Sequence, residues 1–389
     1  MGQKIKVLYI LPLGSIGGAE KVVLSLCRYH NKEQFEVIVC VLLSRGVVSD
    51  EIVATGNEVI ILNMANGFDF VRASRLISII RKRKIDIVNI HGQTPLAKLF
   101  SVLSRCPVII HTDHGTTIGS PVRRKRRVVI FNRLITPFIH KFIAISEGMK
   151  RSMMLRERVP KDKIVQIYNG INVAALSKPT GKREKLISDL NLSSGIPVLG
   201  TIGRLVNEKQ LPLLVKVLSI LDKERIEFTM LIIGDGPQRG LLDLLLQENN
   251  LSHRVKLLGY RNDIPELLEL MDVFLFSSGG EAFSVVLLEV MAKALPIVAF
   301  DVEGVNEAVV PDKTGFLVPF GDVEAFAKKV RILLESPDLA LRMGQSAFKR
   351  VNTKFNISNI IRKTESLYEE LLHLRSGSSF GLKRRSTLA

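Results

Sequence analysis

Glu281 and Glu289 stand eight positions apart in Glu281-Ala-Phe-Ser-Val-Val-Leu-Leu-Glu289. A short polar turn and the start of an apolar helix lie between them. Along a helix rising about 1.5 Å per residue, eight positions cover roughly 12 Å, about the span from a sugar to the ribose of an extended nucleotide diphosphate sugar. Glu281, at the loop end, is then placed for sugar hydroxyls and Glu289 for ribose hydroxyls. The amides of Phe283, Ser284, Val285 and Val286 face the diphosphate, as helix N-termini do. The plainer reading is a helix with two solvated carboxylates, the usual fate of an isolated Glu pair. What tips the balance is the setting: a strand (Met271-Asp-Val-Phe-Leu-Phe) precedes the pair, and a helix running into another strand follows it. Ligands of open α/β sheets bind at such strand ends.

A second cluster lies in Gly203-Arg-Leu-Val-Asn-Glu-Lys209, where Arg204 and Lys209 follow a strand, five positions apart. Two cations converging on one point neutralise the charge that grows on a leaving diphosphate; the alternative is a solvated basic pair. In Ile109-Ile-His-Thr-Asp-His-Gly115 two histidines and a carboxylate end a strand. A metal site is disfavoured there, because alternate strand residues face opposite sides: His111 and Asp113 share a face, and His114 needs the turn to bring it round. Near the N-terminus Pro12-Leu-Gly-Ser-Ile-Gly-Gly-Ala-Glu20 joins a strand to a helix through glycines that let backbone approach a phosphate. Gly14, Gly17 and Gly18 do not satisfy the G-x-G-x-x-G dinucleotide fingerprint, which weighs against a dinucleotide oxidoreductase.

The elements that must carry these residues alternate along the whole chain. Strand-type runs fall near 5–11, 35–43, 59–62, 87–91, 108–112, 141–145 and 164–167, then near 198–202, 228–233, 255–258, 273–276, 297–300 and 316–318. Amphipathic helix-length stretches separate them, which predicts two parallel sheets with helices on both faces. The expected domains are 1–176 and 195–356, joined by a polar linker over 177–194. Helices near 323–334, 339–352 and 357–374 close the fold, and 376–389 reads as a basic flexible tail.

The 389 residues suffice for two domains, and 46% hydrophobic residues is a globular composition. The net charge of +17 is uneven: residues 1–172 hold 27 Lys and Arg against 12 Asp and Glu, whereas residues 173–389 hold 28 against 26. Such a field in the first half attracts an anionic surface or substrate. No apolar run reaches spanning length, and the chain enters a strand with no signal-peptide layout. Cys27, Cys40 and Cys106 lack metal spacing and read as reduced, buried thiols of a cytoplasmic protein.

On these motifs the chain resembles the retaining family 4 glycosyltransferases of GT-B fold, over nearly its whole length. The resemblance implies an α/β fold of two Rossmann-like, doubly wound parallel-sheet domains facing a central cleft, with the C-terminal helix (about 357–375) crossing back to the N-terminal domain. The N-terminal domain would bind the acceptor and the C-terminal domain the nucleotide sugar. Gly17-Gly18-Ala19-Glu20 matches the family's Gly-Gly-x-Glu turn, so Gly17 and Gly18 would border the diphosphate. His114 matches its strand-end His-Gly and would line the reacting centre, backed by His91, which ends another strand. Gly203-Arg204 and Lys209 match its Gly-Arg-Leu-x-x-x-Lys, although Gln210 replaces the Gly that usually follows. Ile232-Ile-Gly-Asp-Gly-Pro237 is similar to its loop beneath the nucleotide, at Gly234. Tyr260 falls in the segment that reads the base, where it either packs on the base or caps the strand. Val305, Asn306, Ala294 and Ser284 also depart from the family pattern.

The implied activity is transfer of a sugar from a UDP- or GDP-sugar to a glycan or lipid-linked acceptor in envelope or exopolysaccharide synthesis, with anomeric retention and neither cofactor nor metal. His114, Glu281, Arg204 and Lys209 are the expected catalytic residues. Residues 121–140 begin with Pro-Val-Arg-Arg-Lys-Arg-Arg and continue with Phe131, Leu134, Ile135 and Phe138. They suit either an anionic membrane surface on the cytoplasmic side or a helix packed on the N-terminal sheet. No nucleic-acid motif is present. Two rival functions remain: a sugar-nucleotide epimerase of the same architecture, and a non-catalytic relic recruited to membrane.

Overall fold

The computed structural model describes residues 4–14, 17–115 and 126–376. The first basic residues of the 121–140 stretch, up to 125, and the tail from 377 lie outside the described residues. The chain forms two compact units. Unit 1 comprises the described residues up to Gly115, those from Arg126 to Gly170, and the C-terminal helix; unit 2 runs from Ile171 to Asn356.

Unit 1 holds seven parallel strands: β1 (Ile5–Leu11), β2 (Phe35–Val41), β3 (Glu58–Ile61), β4 (Ile87–His91), β5 (Val108–Asp113), β6 (Lys141–Ala144) and β7 (Ile164–Gln166). Their order is β3-β2-β1-β4-β5-β6-β7. The last five residues of β1, Val7 to Leu11, are sealed from solvent. Both faces of a parallel sheet are covered by helices, so its strands read as continuous apolar runs.

The C-terminal helix Ile357–Ser376 buries Ile357, Ile360, Ile361, Leu367, Tyr368 and Leu371 in this unit's core. Its spacing of three, four and seven residues is that of one helix face. A polar chain pins it further: Glu365 accepts from the amide of Asn31 at 2.8 Å and lies 3.0 Å from His30 Nδ1. Tyr368 Oη reaches Tyr9 Oη at 3.2 Å and accepts from Asn89 Nδ2 at 2.8 Å.

Unit 2 holds six parallel strands: β8 (Val198–Ile202), β9 (Thr229–Ile233), β10 (Val255–Gly259), β11 (Val273–Phe276), β12 (Ile297–Phe300) and β13 (Gly315–Val318), in the order β10-β9-β8-β11-β12-β13. The Leu211–Lys223 helix buries Leu211, Leu214, Val215, Leu218 and Leu221 on one face of this sheet. Residues 177–194, expected as a linker, are fastened to unit 2. Thr180 N and Oγ1 donate to Glu269 at 3.0 and 2.6 Å, and Lys182 pairs with Glu266 at 3.0 Å.

Each sheet reverses its winding once, between β1 and β4 in unit 1 and between β8 and β11 in unit 2. At such a switch point the two following loops run to opposite faces and leave a crevice outside the carboxyl ends. Both sets of chemistry-bearing residues belong to these strand ends.

Candidate functional site

In unit 2 the loop after β8 carries Arg204 and Lys209, and the loop after β11 carries Ser277, Ser278 and Glu281. The loops are stitched together. Ser277 Oγ donates to the carbonyl of Lys209 at 2.7 Å, and the amide of Gly279 donates to that of Glu208 at 2.9 Å. Lys209 Nζ forms an ion pair with Glu281, whose Oε1 also lies 2.9 Å from Ser278 Oγ. The ammonium stands 5.2 Å from the centroid of Phe276.

Both members of the pair are mostly buried, so neither charge is well served by water and removing one strands the other. An ammonium has three donors; the Glu281 contact uses one, leaving two for an incoming phosphate. The Arg204 side chain is exposed and makes no hydrogen bond or ion pair among the described residues. The recess walled by Gly203, Arg204, Lys209 and Phe276 encloses only about 10 Å³, about one water's worth of space. A larger ligand therefore has to lie across these side chains.

The carboxylate spacing is set differently from expectation. The helix begins at Val285 with Ser284 as its N-cap residue, so Glu281 belongs to the preceding loop and only the approach to Glu289 is helical. A rise of 1.5 Å per residue thus does not fix the Glu281–Glu289 separation. Ser284 makes no capping hydrogen bond, which leaves the first helical amides, Val285 and Val286 among them, without an intrahelical partner. The Phe283 side chain is buried against Phe355, with centroids 5.2 Å apart, so this residue offers a ligand backbone only.

Two glycines hold the loops at close quarters. Gly234 has φ +132°, and a Cβ there would lie 1.9 Å from the carbonyl oxygen of Gly203. Gly304 has φ +81°, and its Cβ would meet the Glu281 carbonyl at 2.4 Å. Gly234 thus supports the Arg204 loop, and Gly304 supports the Glu281 loop. Tyr260, after β10, is exposed and donates to Asn262 Oδ1 at 2.6 Å.

In unit 1 the histidines separate. His111 Nε2 lies 3.0 Å from the carbonyl of Gly92, and Asp113 accepts from the amide of Gly115 at 2.8 Å and from Gln93 Nε2 at 3.2 Å. His114 swings to His91 instead, with Nε2 2.8 Å from His91 Nδ1 and the rings stacked at 5.1 Å. His111, Asp113 and His114 thus turn to different partners, and among the described residues no three side chains form a ligand cluster.

Burial drives the His91 pKa well below its ordinary value, and the neighbouring His114 and His111 push the same way. Burial lowers His114 to about 4 against the pull of Asp113. Both rings are therefore neutral near pH 7, and one must donate to the other. His91 Nε2 is buried without a partner among the described residues. A stranded N–H is rarer than a stranded lone pair, so His91 carries its proton on Nδ1 and donates to His114. His114 then holds its own proton on Nδ1 and presents a donor. Gly17, with extended φ −158°, opens the Gly18–Tyr29 helix after β1. A Cβ on Gly17 would lie 2.3 Å from Glu20 Oε2, whereas Gly18 has open space.

Three groups escaped the sequence reading. Ser278 braces Glu281. Gln93 joins Asp113 to Asn132, whose Nδ2 donates to Gln93 Oε1 at 3.1 Å and to Glu157 Oε2 at 2.9 Å. Lys98, sealed from solvent, donates to Asn132 Oδ1 at 2.8 Å. Only Ser278 left a sequence signal, as the second of two serines that follow a buried strand; the others looked like ordinary helix and loop positions.

Comparison with known proteins gives two family matches. Residues 16–175 match the family described as Glycosyltransferase Family 4, and residues 182–350 match Glycosyl transferases group 1. The chain is 24% identical over 384 residues to the UDP-Gal:alpha-D-GlcNAc-diphosphoundecaprenol alpha-1,3-galactosyltransferase of Escherichia coli, covering 95% of this chain and 98% of that one. It is 28% identical over 316 residues to the capsular polysaccharide biosynthesis glycosyltransferase CapM of Staphylococcus aureus, with 78% and 81% covered. Among solved structures, Anabaena HepE in complex with UDP-glucose superposes with a TM-score of 0.82 at 21% identity, over 94% of this chain and all of the other.

Proposed function

Because this chain belongs to the family 4 glycosyltransferases, we propose that it moves a hexose from a UDP-sugar to a glycan or lipid-linked acceptor, with retention of configuration, during synthesis of a cell-envelope or exopolysaccharide. The similar E. coli enzyme uses UDP-Gal and a lipid diphosphate-linked GlcNAc, and HepE was captured with UDP-glucose; both favour UDP. The observation that carries the reading is the contact of Lys209 with Glu281 at the switch point of unit 2, beside the unengaged guanidinium of Arg204.

In this reading Arg204 and Lys209 hold the diphosphate, and the amides of Val285 and Val286 add donors. Glu289 takes the ribose hydroxyls. Glu281, held by Lys209 and Ser278, orients the sugar. As the bond from the anomeric carbon to the diphosphate oxygen breaks, the leaving group keeps the electron pair, and the two cations stabilise the growing charge. The acceptor hydroxyl attacks from the same face and gives its proton to the departing phosphate oxygen. Within unit 1, His114 presents an N–H that suits a sugar oxygen.

A thermal-shift panel of UDP- and GDP-sugars identifies the donor, because a ligand of the native state raises stability by mass action. Transfer is then followed with that donor and a lipid-linked acceptor extract, with anomeric configuration read by NMR. Activity unchanged by EDTA is expected, since two side-chain cations do the neutralising. Conversion of donor to its epimer without acceptor would favour the rival reading.

A second reading concerns location. On the Arg126–Ile135 helix and the turn after it, Ile130, Leu134 and Phe138 are 47, 70 and 57% exposed, beside the exposed Arg126 and Arg133. Apolar residues bare among cations suit a bilayer interface of anionic headgroups, where a lipid-linked acceptor resides.

A further inference from the structure

We infer that a recess at the switch point of unit 1 is a recognition pocket for the acetamido group of an N-acetylated sugar acceptor. This rests on the transferase reading above.

The recess encloses about 120 Å³, somewhat less than the ~150 Å³ of a cavity that takes up benzene. A whole hexose, with about twice benzene's heavy atoms, does not fit; a substituent of a few atoms does. Its walls are apolar: Pro12 after β1, Leu42 and Leu43 after β2, and Met64 after β3. The remaining wall is the first turn of the Pro95–Leu103 helix, with Leu96 and Ala97.

That turn is open in an unusual way. A threonine at the N-cap ordinarily accepts from the second or third helical amide. Thr94 holds this position and makes no capping bond. The amides of Leu96 and Ala97 are thus left without the partner a cap would give, and Pro95 has no N–H to satisfy. Thr94 itself lines the recess, is 93% buried (7% exposed), and its hydroxyl meets no partner among the described residues. Two amides and one hydroxyl, collected on one side of an apolar recess, call for an oxygen acceptor attached to something small and apolar.

Charge decides what kind of oxygen. None of the residues lining the recess is charged, so a carboxylate would lose its hydration without gaining a counter-ion. A neutral carbonyl carries no such penalty. An acetamido group supplies the carbonyl for the helix end and a methyl for Leu42, Leu43 and Met64. The recess also adjoins the reacting strand ends: Gln93, another lining residue, donates to Asp113, the residue before His114. An acceptor sugar anchored by this substituent would keep its ring hydroxyls outside the recess.

The test uses two probes, octyl 2-acetamido-2-deoxyglucoside and octyl glucoside, each added to the full chain with UDP present. Saturation-transfer NMR should show the acetamido methyl as the most strongly saturated signal, and the plain glucoside should bind about 10- to 200-fold more weakly, the range for a lost contact in an apolar pocket. Ala97→Phe and Met64→Phe, which fill the recess from different walls, should each remove the preference. Equal binding of the two probes, no binding of either, or a preference that survives both fillings overturns the inference. UDP-hexose thermal shifts, measured on the same samples, test the transferase reading separately and confirm that each variant is folded.

Discussion

Lys209 is the residue on which the proposed donor site turns. It arrives by a one-turn 3-10 segment, Asn207–Lys209, and meets Glu281 across 72 positions of sequence. Lys209→Ala should lower kcat/KM by about 10²- to 10³-fold, the cost of one preorganised donor to a developing anion, with the fold preserved by circular dichroism. An unchanged rate would remove Lys209 from the diphosphate. The histidine pair makes a different prediction. Both rings have pKa values below the ordinary 6.5 when folded, so on acidification the unfolded chain binds protons first. Stability is therefore full above about pH 6.5 and declines as pH falls toward about 4. Urea midpoints should show this decline, flattened in His114→Gln, and transfer rates should carry no inflection near pH 6.5. Two departures from the family pattern also acquire a physical meaning. Gln210 and Ala294 stand where the family pattern commonly has glycine, and both sit in the left-handed region, at φ +51° and +54°. Ala294→Gly should raise stability by about 0.5–1 kcal/mol, since the αL penalty exceeds glycine's entropy cost; a lower urea midpoint would refute this.

Among the elements, the C-terminal helix depends most on distant contacts. Burial pushes Glu365 up, but His30 and the amide of Asn31 outweigh it and hold the carboxyl below its ordinary range. Glu365→Ala strands a buried imidazole nitrogen and an amide, and should cost about 1–3 kcal/mol in chemical denaturation. Tyr368→Phe removes the hydroxyl that bridges Tyr9 and Asn89 and leaves the buried Asn89 amide without its acceptor, and should cost about 1–3 kcal/mol. The Arg126–Ile135 helix is tethered from beneath: Asn132, on its buried face, links Lys98, Gln93 and Glu157. That network fixes the helix on unit 1 while leaving Ile130 and Leu134 bare.

At the scale of the whole molecule, the charge is lopsided. The first 172 residues carry a surplus of 15 positive charges and the remainder a surplus of 2. The protein should sediment with vesicles containing phosphatidylglycerol at low salt and remain in solution with neutral vesicles. Binding should weaken steeply above about 0.15 M salt, where the Debye length falls below about 8 Å. Leu134→Ser with Phe138→Ser should weaken it further without altering thermal shifts by UDP-sugars. Equal sedimentation with neutral vesicles would reject the electrostatic account.

The amino-acid sequence by itself determined the two sheets and their helices, because strand-length apolar runs such as Val7–Leu11 and Val273–Phe276 have few other ways to be buried. It also placed Arg204, Lys209, Glu281 and His114 next to strand ends, since periodicity fixes where an element stops. Only the tertiary structure decided who meets whom. The order of strands brings the loops after β8 and β11 together and so pairs Lys209 with Glu281. The reversal between β1 and β4 gathers Pro12, Leu42, Met64 and the open helix end around one recess. Such meetings depend on side-chain directions across tens to hundreds of residues, whereas local spacing reports only on neighbours within a few turns.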